Sequence, residues 1–229
     1  MIRRPTIVAA MLLLAACAER PLSPAERAFT DTVLGPAIDA DDVRFVRGSA
    51  SSLIDTVIPV RPRTTCREKI YPPRSEPAPG SFPAMAIGPR VYFARDAWSA
   101  DFLAGYPEAK DVRDAMRVAH ELTHVWQWQR RDMTGYHPLK ASLEHVESDD
   151  PYLLEIDPSK GFLDYAYEQQ GVIIEEFVCC RTLDPEGRRT DELHRLVSEV
   201  FPAALRRDPA AGGAVRLPWD GATTEGICS

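Results

Sequence analysis

The stretch Val118-Ala119-His120-Glu121-Leu122-Thr123-His124-Val125-Trp126 decides how the rest of the chain can be interpreted. Residues four apart lie one above the other on an α-helix, so His120 and His124 can direct both imidazoles at one metal ion. Glu121 is one position further round, where it can reach a water on the metal without binding the metal itself. The pattern therefore predicts a helix with two histidine ligands and a catalytic carboxylate.

The sequence on both sides of this motif also favours a helix. No Gly or Pro occurs from Asp111 to Arg131, and apolar residues recur at helical spacing, which predicts one buried face. The alternative is an amphipathic helix whose two histidines serve packing alone. Carboxylates further along the chain favour the metal site, because catalytic zinc takes a third protein ligand.

A second helix, predicted from Gly161 to Leu183, carries the candidates for that third ligand. Glu168 and Glu175 are seven residues apart, nearly two helical turns, so both carboxylates can face the same site. Their burial without a cation would be costly, and a zinc ion supplies one. Glu168 is the favoured ligand, with Glu175 or His145 as alternatives.

Other polar side chains in or near this helix are expected to support the metal site or the reaction. If Glu168 binds zinc, Glu175 is expected to hold the outer nitrogen of a ligand histidine, whereas Glu176 points elsewhere and is expected on a solvated face. The substrate oxyanion needs a hydrogen-bond donor in addition to zinc. Tyr165 is favoured as this catalytic donor because it precedes Glu168 by three positions. The alternatives for this role are Tyr136, Tyr167 and His137.

The N-terminus has the features of an export signal: two arginines, an apolar run over residues 7–16, and the closing sequence Leu14-Ala15-Ala16-Cys17. That ending resembles the lipobox of bacterial lipoproteins, which implies cleavage after residue 16, lipidation of Cys17 and a short tether over residues 17–23. By the same resemblance, Ala18 in place of Asp favours an outer-membrane anchor facing the periplasm or the cell surface. An ordinary signal peptide is the alternative.

Length and charge limit the classes of function. The full chain has 229 residues, and what remains without the predicted signal and tether fits one domain, over residues 24–229. The formal net charge is −7, and no basic stripe or Gly-rich phosphate loop is present, which argues against a nucleic-acid binder. The expected partners are therefore a peptide or protein substrate and a membrane, reached through the lipid on Cys17.

Four cysteines follow Cys17, and an even number in an exported chain predicts two disulfides. Adjacent cysteines rarely bond to each other, so Cys179 and Cys180 are each expected to pair with Cys66 or Cys228. A zinc site built from these cysteines is the alternative. It is disfavoured because the sequence contains no Cys-x-x-Cys pair.

The histidine motif through Gln127, followed by Tyr167-Glu168-Gln169-Gln170-Gly171, resembles small bacterial zincin-type domains that occur alone or with Rhs and contractile-injection proteins. The resemblance covers about Val91 to Arg181. It implies a gluzincin-like metallopeptidase in which Glu168 matches the downstream glutamate ligand. The spacing from His124 to Glu168 is longer than in thermolysin-like enzymes, and the Asn-Glu-x-x-Ser-Asp pattern is missing.

The fold predicted from these features is α+β, mainly helical, with a small sheet beside the motif helix. Arg90-Val91-Tyr92-Phe93-Ala94 is the best strand signal, because β-branched and aromatic residues follow a Gly-Pro turn. Its position suits the edge strand that lies beside the substrate cleft in zinc peptidases of this general type, where a peptide could add as a further strand. An ordinary core strand is the alternative.

The sequence as a whole predicts a zinc-dependent peptidase of the cell envelope. Glu121 would take a proton from water as the water attacks a carbonyl, and would pass it to the leaving amine. The main alternative is a non-catalytic zinc-containing envelope lipoprotein with a binding or structural role, and an exported toxin or its processing factor is a third possibility. Glu121 favours the enzyme, since an inactive relative has no need of it.

Overall fold

The computed structural model describes residues 19–48 and 56–229. The predicted signal segment and Cys17 lie outside the described residues. The helices are α1 (Pro24–Val33), α2 (Cys66–Lys69), α3 (Val112–Gln129), α4 (Arg131–Thr134), α5 (Pro138–Glu147), α6 (Tyr167–Leu183) and α7 (Arg188–Ser198). The strands are β1 (Glu19–Arg20), β2 (Arg44–Arg47), β3 (Thr56–Ile58), β4 (Ala78–Gly80), β5 (Ala84–Ile87), β6 (Arg90–Phe93), β7 (Ala109–Asp111) and β8 (Ala214–Arg216). The α+β class is as predicted.

Helices α3 and α6 pack against each other at the centre of the molecule. Helix α6 is buried on every side, and Ile173, Phe177 and Val178 are fully enclosed. A helix that is buried all round needs partners all round. The elements that supply them on α6 include α2, α3, α5 and α7. Side chains at the contact between α3 and α6 therefore lie in the packed interior.

Glu176 shows the consequence of this enclosure, and the prediction that it lies on a solvated face is wrong. Its carboxylate is fully buried and accepts hydrogen bonds from the backbone N–H groups of Cys66 and Arg67, at 2.9 and 3.0 Å. Arg189 donates a third at 2.5 Å. A carboxylate at the first amides of α2 satisfies donors that the helix cannot pair internally. Glu176 thus joins α2 and α7 to α6.

The predicted strand at residues 90–94 is present, but it is not an edge. The main sheet has the order β1-β2-β6-β5, with β6 parallel to β2 and antiparallel to β5. Val91 and Phe93 are fully buried, as expected for the core-strand alternative. The Gly88-Pro89 turn folds β5 back onto β6, and β5, which packs against α3, occupies the outer position. Hydrophobicity could identify this strand but not its neighbours.

Two disulfides, Cys66–Cys179 and Cys180–Cys228, have the predicted pattern, in which each of the adjacent cysteines bonds to a distant one. They attach α2 and the C-terminal segment to α6. The bonds also remove the cysteine zinc site as an alternative, because a disulfide sulfur is not a thiolate ligand. Among the described residues, no helix has the length and apolar character needed to cross a bilayer.

Candidate metal centre

Helix α3, which carries the two motif histidines, begins directly after the short strand β7. Asp111 caps α3 by accepting a hydrogen bond from the backbone N–H of Asp114 at 3.0 Å. From that start, eighteen residues form a continuous helix, and the two motif histidines fall on its buried side. His120 and His124 are 6% and 7% exposed, and their rings lie edge to face with centroids 4.8 Å apart. The local sequence therefore orients the pair as the motif predicts.

Glu168, on α6, completes a cluster with both histidines. Its Oε2 lies 3.2 Å from Nε2 of His120 and 3.5 Å from Nε2 of His124, and the two Nε2 atoms are 3.1 Å apart. In a tetrahedral zinc site, ligand bonds of about 2.0–2.1 Å place neighbouring ligand atoms about 3.3 Å apart. The three atoms match that spacing, so the cluster could hold a metal ion.

The charges of this cluster are strongly coupled. Burial alone would lower the pKa of His120, but the carboxylates of Glu175 and Glu168 raise it well above its usual range. Burial alone would raise the pKa of Glu168, but His124 and His120 lower it well below its usual range. The buried carboxylate therefore needs positive charge beside it, either from protonated imidazoles or from a cation that displaces their protons.

The outer nitrogen of His124 is fixed by an amide relay. Nδ1 of His124 lies 2.8 Å from Oε1 of Gln127, and Nε2 of Gln127 donates to Oε1 of Gln170 at 2.9 Å. Nε2 of Gln170 donates in turn to the backbone carbonyl of Tyr165 at 2.8 Å. A partner on the outer nitrogen orients the ring and leaves the other nitrogen for a metal. No pattern in the sequence indicates this relay, because its members come from two helices.

Glu175 occupies the corresponding position behind His120. Its Oε1 is 3.2 Å from Nδ1 of His120, although the two atoms are poorly aligned for a hydrogen bond. Its Oε2 is 3.1 Å from Nε of Arg67, which belongs to α2. Glu175 therefore stands behind the ring, in the position predicted for it if Glu168 binds the metal, and Arg67 offsets its charge.

Gly171 lies against the ring of His120. A Cβ atom on Gly171 would lie 2.7 Å from Cε1, 2.8 Å from Nδ1 and 3.0 Å from Nε2 of His120. Real Cβ atoms do not approach other atoms so closely, and the obstacle would be the ring itself. The close approach of α3 and α6 at the cluster thus requires glycine at this position.

Helix α6 starts at Tyr167 and not at Gly161 as predicted. Glu144, on α5, accepts hydrogen bonds from the backbone N–H groups of Tyr167 and Glu168 at 2.8 and 2.9 Å. A carboxylate at these positions satisfies free amides and interacts favourably with the helix dipole. The side chain that begins the helix therefore comes from a different segment, which local sequence patterns cannot reveal.

This later start removes the basis for assigning Tyr165 as the oxyanion donor. Tyr165 precedes the helix in an extended conformation. Its hydroxyl accepts a hydrogen bond from the N–H of Asp157 at 2.8 Å and donates to the carbonyl of Asp157 at 3.2 Å. The structure therefore gives Tyr165 a partner in a neighbouring loop and does not bring its hydroxyl to the cluster.

Tyr152 stands at the cluster instead, together with His145. The Tyr152 hydroxyl is 2.9 Å from Nε2 of His145, which is 3.7 Å from Oε1 of Glu168. The ring of Tyr152 lies 6.0 Å from that of His120. Burial, followed by the charges of Glu168 and Glu121, raises the pKa of Tyr152 above its usual range, so the hydroxyl keeps its proton. Tyr152 lies in a loop without periodicity, so no sequence pattern indicates its place at the cluster.

The other candidates for the oxyanion donor are Tyr136, Tyr167 and His137, and none of them lines the cleft that contains Glu121. Burial, followed by the charges of Glu168 and Glu121, raises the pKa of Tyr136 to about 12. The Tyr167 hydroxyl donates to the carbonyl of Gly135 at 2.7 Å. Neither residue lines the cleft that leads to the motif helix, whereas Tyr152 does. His137 caps α5 by accepting from the N–H of Leu139 at 3.2 Å.

Glu121 is the remaining group of the motif. Its side chain is 7% exposed, and Oε2 has no hydrogen-bond partner in the described part of the chain. Burial raises the pKa of its carboxyl. The group lines a cleft of about 470 Å³, together with His120 and Tyr152. A buried carboxylate oxygen that no protein group satisfies is suited to accept a proton from a molecule bound in that cleft.

Substitution of Gly171 by Ala tests the contact between α3 and α6. In the metal-free wild type, the added methyl should displace His120, lower the melting temperature and weaken metal binding by about tenfold or more. In a His120→Ala background, the same change should raise the melting temperature, because Ala favours a helix over Gly by about 0.5–1 kcal/mol. Thermal unfolding of the four variants measures this reversal, and an equal effect in both backgrounds would contradict the contact.

Comparisons with known proteins add one similarity. No protein-family model matches the chain, and no curated protein matches it. Among solved structures, it is similar to the effector domain of Pseudomonas aeruginosa VgrG2b, with 22% identity and a TM-score of 0.48. The match covers 84% of this chain and 89% of that one. A likeness at this level shows neither a shared activity nor a shared substrate.

Proposed function

We propose that this chain is a zinc-dependent peptidase. The observation that carries the proposal is Glu121, a buried carboxylate with one unsatisfied oxygen, next to a cluster that could hold a metal ion and open to a cleft. A site that only bound metal for structural reasons would be closed by a fourth protein ligand. Among the described residues, the cluster offers three ligands, and one of them, His120, lines the cleft.

The donor set favours zinc. Two imidazole nitrogens and one carboxylate oxygen form a ligand set found in zinc hydrolases, and their spacing agrees with tetrahedral coordination. A zinc ion held there would bind water, raise its acidity and polarise a substrate carbonyl. Glu175 and Gln127 would keep the two histidines oriented, since each stands at an outer ring nitrogen.

The chain's own groups would carry the proton transfers. Glu121 would accept a proton from the attacking water, because the residue lines the cleft, one of its oxygens has no partner among the described residues, and burial raises the pKa of its carboxyl. The same carboxyl would then donate the proton to the leaving nitrogen. Its burial also excludes bulk water, which strengthens its interaction with the charges that develop on the substrate.

Tyr152 would stabilise the oxyanion. Its hydroxyl retains its proton, lines the cleft and is held by His145 at 2.9 Å. A fixed donor of this kind lowers the energy of a tetrahedral intermediate without reorganisation at the moment of reaction. We propose Tyr152 in place of Tyr165, and we propose further that a lipid on Cys17 holds the enzyme at the cell envelope.

Zinc content and peptide cleavage, measured on the same preparations, test the proposal. The wild type should bind one zinc and cleave peptides from a broad library. Glu168→Ala should lose zinc, whereas Glu121→Gln should keep it and lose at least about 100-fold in kcat, because the isosteric amide cannot accept the proton. Glu155→Ala, an exposed position, serves as the control and should retain both properties.

Two outcomes would contradict the proposal. A wild type without zinc after exposure to the metal would remove the metal centre. A wild type that binds zinc but cleaves no peptide of the library would instead support the non-catalytic lipoprotein.

A matched pair of tyrosine variants tests the oxyanion donor. Tyr152→Phe should keep its zinc and its KM but lose about 10²–10³ in kcat, the usual cost of removing one such donor. Tyr165→Phe removes a hydroxyl that is bonded to the loop at Asp157 and does not line the cleft, and it should lower the melting temperature with little effect on kcat. Steady-state kinetics that show the larger loss in Tyr165→Phe would reverse the assignment.

A further inference from the structure

Six arginines and five carboxylates line the cleft in front of Glu121, so the pairing of each arginine decides where positive charge is left over. Charged groups that line a concave surface focus their field into it and attract ligands of opposite charge. The sign of the net charge that lines this cleft therefore indicates which ligands it attracts. The arginines that line it are Arg61, Arg63, Arg67, Arg74, Arg113 and Arg117.

Two of these arginines are neutralised within the protein. Arg61 forms a two-point contact with Asp150, at 2.6 and 2.9 Å. Arg67 lies 3.1 Å from the carboxylate of Glu175. Paired in this way, these guanidinium groups shape the wall near the metal centre and leave little net charge there.

Arg113 and Arg117 are arranged differently. Both approach the same oxygen of Asp114, at 3.7 and 3.3 Å, so two cations share one carboxylate atom. Asp114 does not line this cleft and lines a separate cavity instead. Arg113 is 46% exposed and Arg117 is 20% exposed, so both remain within reach of a ligand. Positive charge is therefore in excess at this end of the cleft.

The position of this pair relative to the catalytic carboxylate is set by the helix. Arg113, Arg117 and Glu121 are spaced by four residues, so they lie along one face of α3. A rise of about 1.5 Å per residue separates the backbone of Glu121 from that of Arg117 by about 6 Å, and from that of Arg113 by about 12 Å, along the helix axis. An extended peptide advances about 3.3 Å per residue, so these distances correspond to about two to four residues.

We infer that the cleft binds an acidic peptide segment, with a carboxylate held by Arg113 and Arg117 two to four residues from the bond at Glu121. The position of the cleaved bond rests on the proposed function, but the binding itself does not need cleavage. Guanidinium groups match carboxylates in geometry as well as charge. The carboxylate can belong to an Asp or Glu side chain or to the C-terminus of the peptide.

The walls of the cleft favour a peptide over other polyanions. Apolar side chains of β3 and its surroundings, including Val57, Ile58 and Met116, line the same cleft. A peptide offers both apolar side chains and isolated carboxylates, whereas a nucleic acid needs a continuous basic track. The net charge of −7 also opposes general attraction of nucleic acids.

Binding to zinc-loaded Glu121→Gln tests this inference separately from catalysis. Fluorescence anisotropy should be recorded for ten-residue peptides that differ only at two adjacent central positions, occupied by Glu, Gln or Lys, with the C-terminus either amidated or free. The Glu peptide should bind about tenfold more tightly than the Gln peptide at low salt, and the Lys peptide more weakly still. A tenfold gain of the Gln peptide from its free C-terminus alone would assign the pair to the terminal carboxylate.

Variants of the arginine pair make the test specific. Adding Arg113→Gln and Arg117→Gln should abolish the preference for Glu, and Arg113→Glu with Arg117→Glu should reverse it toward Lys. Arg207→Gln, at an exposed arginine outside the cleft, is the matched control and should leave the preference unchanged. The preference should shrink as salt screens these partly exposed charges.

Three results would overturn the inference. The first is equal binding of the Glu and Gln peptides, whether the C-terminus is free or amidated. The others are a preference for Glu that survives loss of both arginines, and an oligothymidylate of equal charge that binds as well as the Glu peptide. Cleavage by the wild type is scored separately. A preference without cleavage would leave the inference standing while the peptidase proposal failed, and cleavage without a preference would do the opposite.

Discussion

The structure depends on one buried interaction, the approach of the Glu168 carboxylate to the imidazoles of His120 and His124. A carboxylate in an apolar interior is unfavourable unless positive charge lies beside it. The two central helices must therefore keep a fixed distance and rotation, so that one oxygen of Glu168 lies within 3.5 Å of both Nε2 atoms. Gly171 permits this approach because any side chain at that position would meet the ring of His120.

The surrounding structure supports this interaction from several directions. Glu144 begins α6 at the residue that provides the carboxylate, and the Cys66–Cys179 disulfide attaches α2, with Arg67, to the C-terminal half of the same helix. Arg67 in turn balances Glu175 behind His120. The groups that position the ligands thus also form the wall of the cleft, which links the geometry of the metal centre to the charge that a substrate would meet.

Local patterns were sufficient for the groups that one helix orients. The spacing of His120, Glu121 and His124 determined their common face, and the seven-residue spacing of Glu168 and Glu175 placed both on the side that faces α3. Adjacent cysteines were sufficient to predict the pattern of disulfides, since Cys179 and Cys180 could not bond to each other without strain. In each case, the deciding interaction lies within one element or follows from its periodicity.

Patterns failed where a distant segment makes the contact. Tyr152 reaches the cluster from a loop, and only the fold brings it to His145. Tyr165 shares the face of Glu168 only if the helix begins before it, whereas the helix begins at Tyr167 and the Tyr165 hydroxyl bonds to Asp157. Glu176 was expected in water, but α2 and α7 cover it. The strand at Arg90–Phe93 was recognised, but the turn that places β5 outside it is a property of the whole sheet.

X-ray absorption spectroscopy of the zinc-loaded chain tests the central claim most directly. The geometry predicts a zinc ion surrounded by nitrogen and oxygen at about 2.0–2.1 Å, with the outer-shell scattering of two imidazoles, which should fall to one in His124→Ala. A sulfur shell at about 2.3 Å would place the metal on the cysteines, and a spectrum without imidazole scattering would show that the two histidines are not ligands. Either result would contradict the assignment of the metal centre to His120, His124 and Glu168.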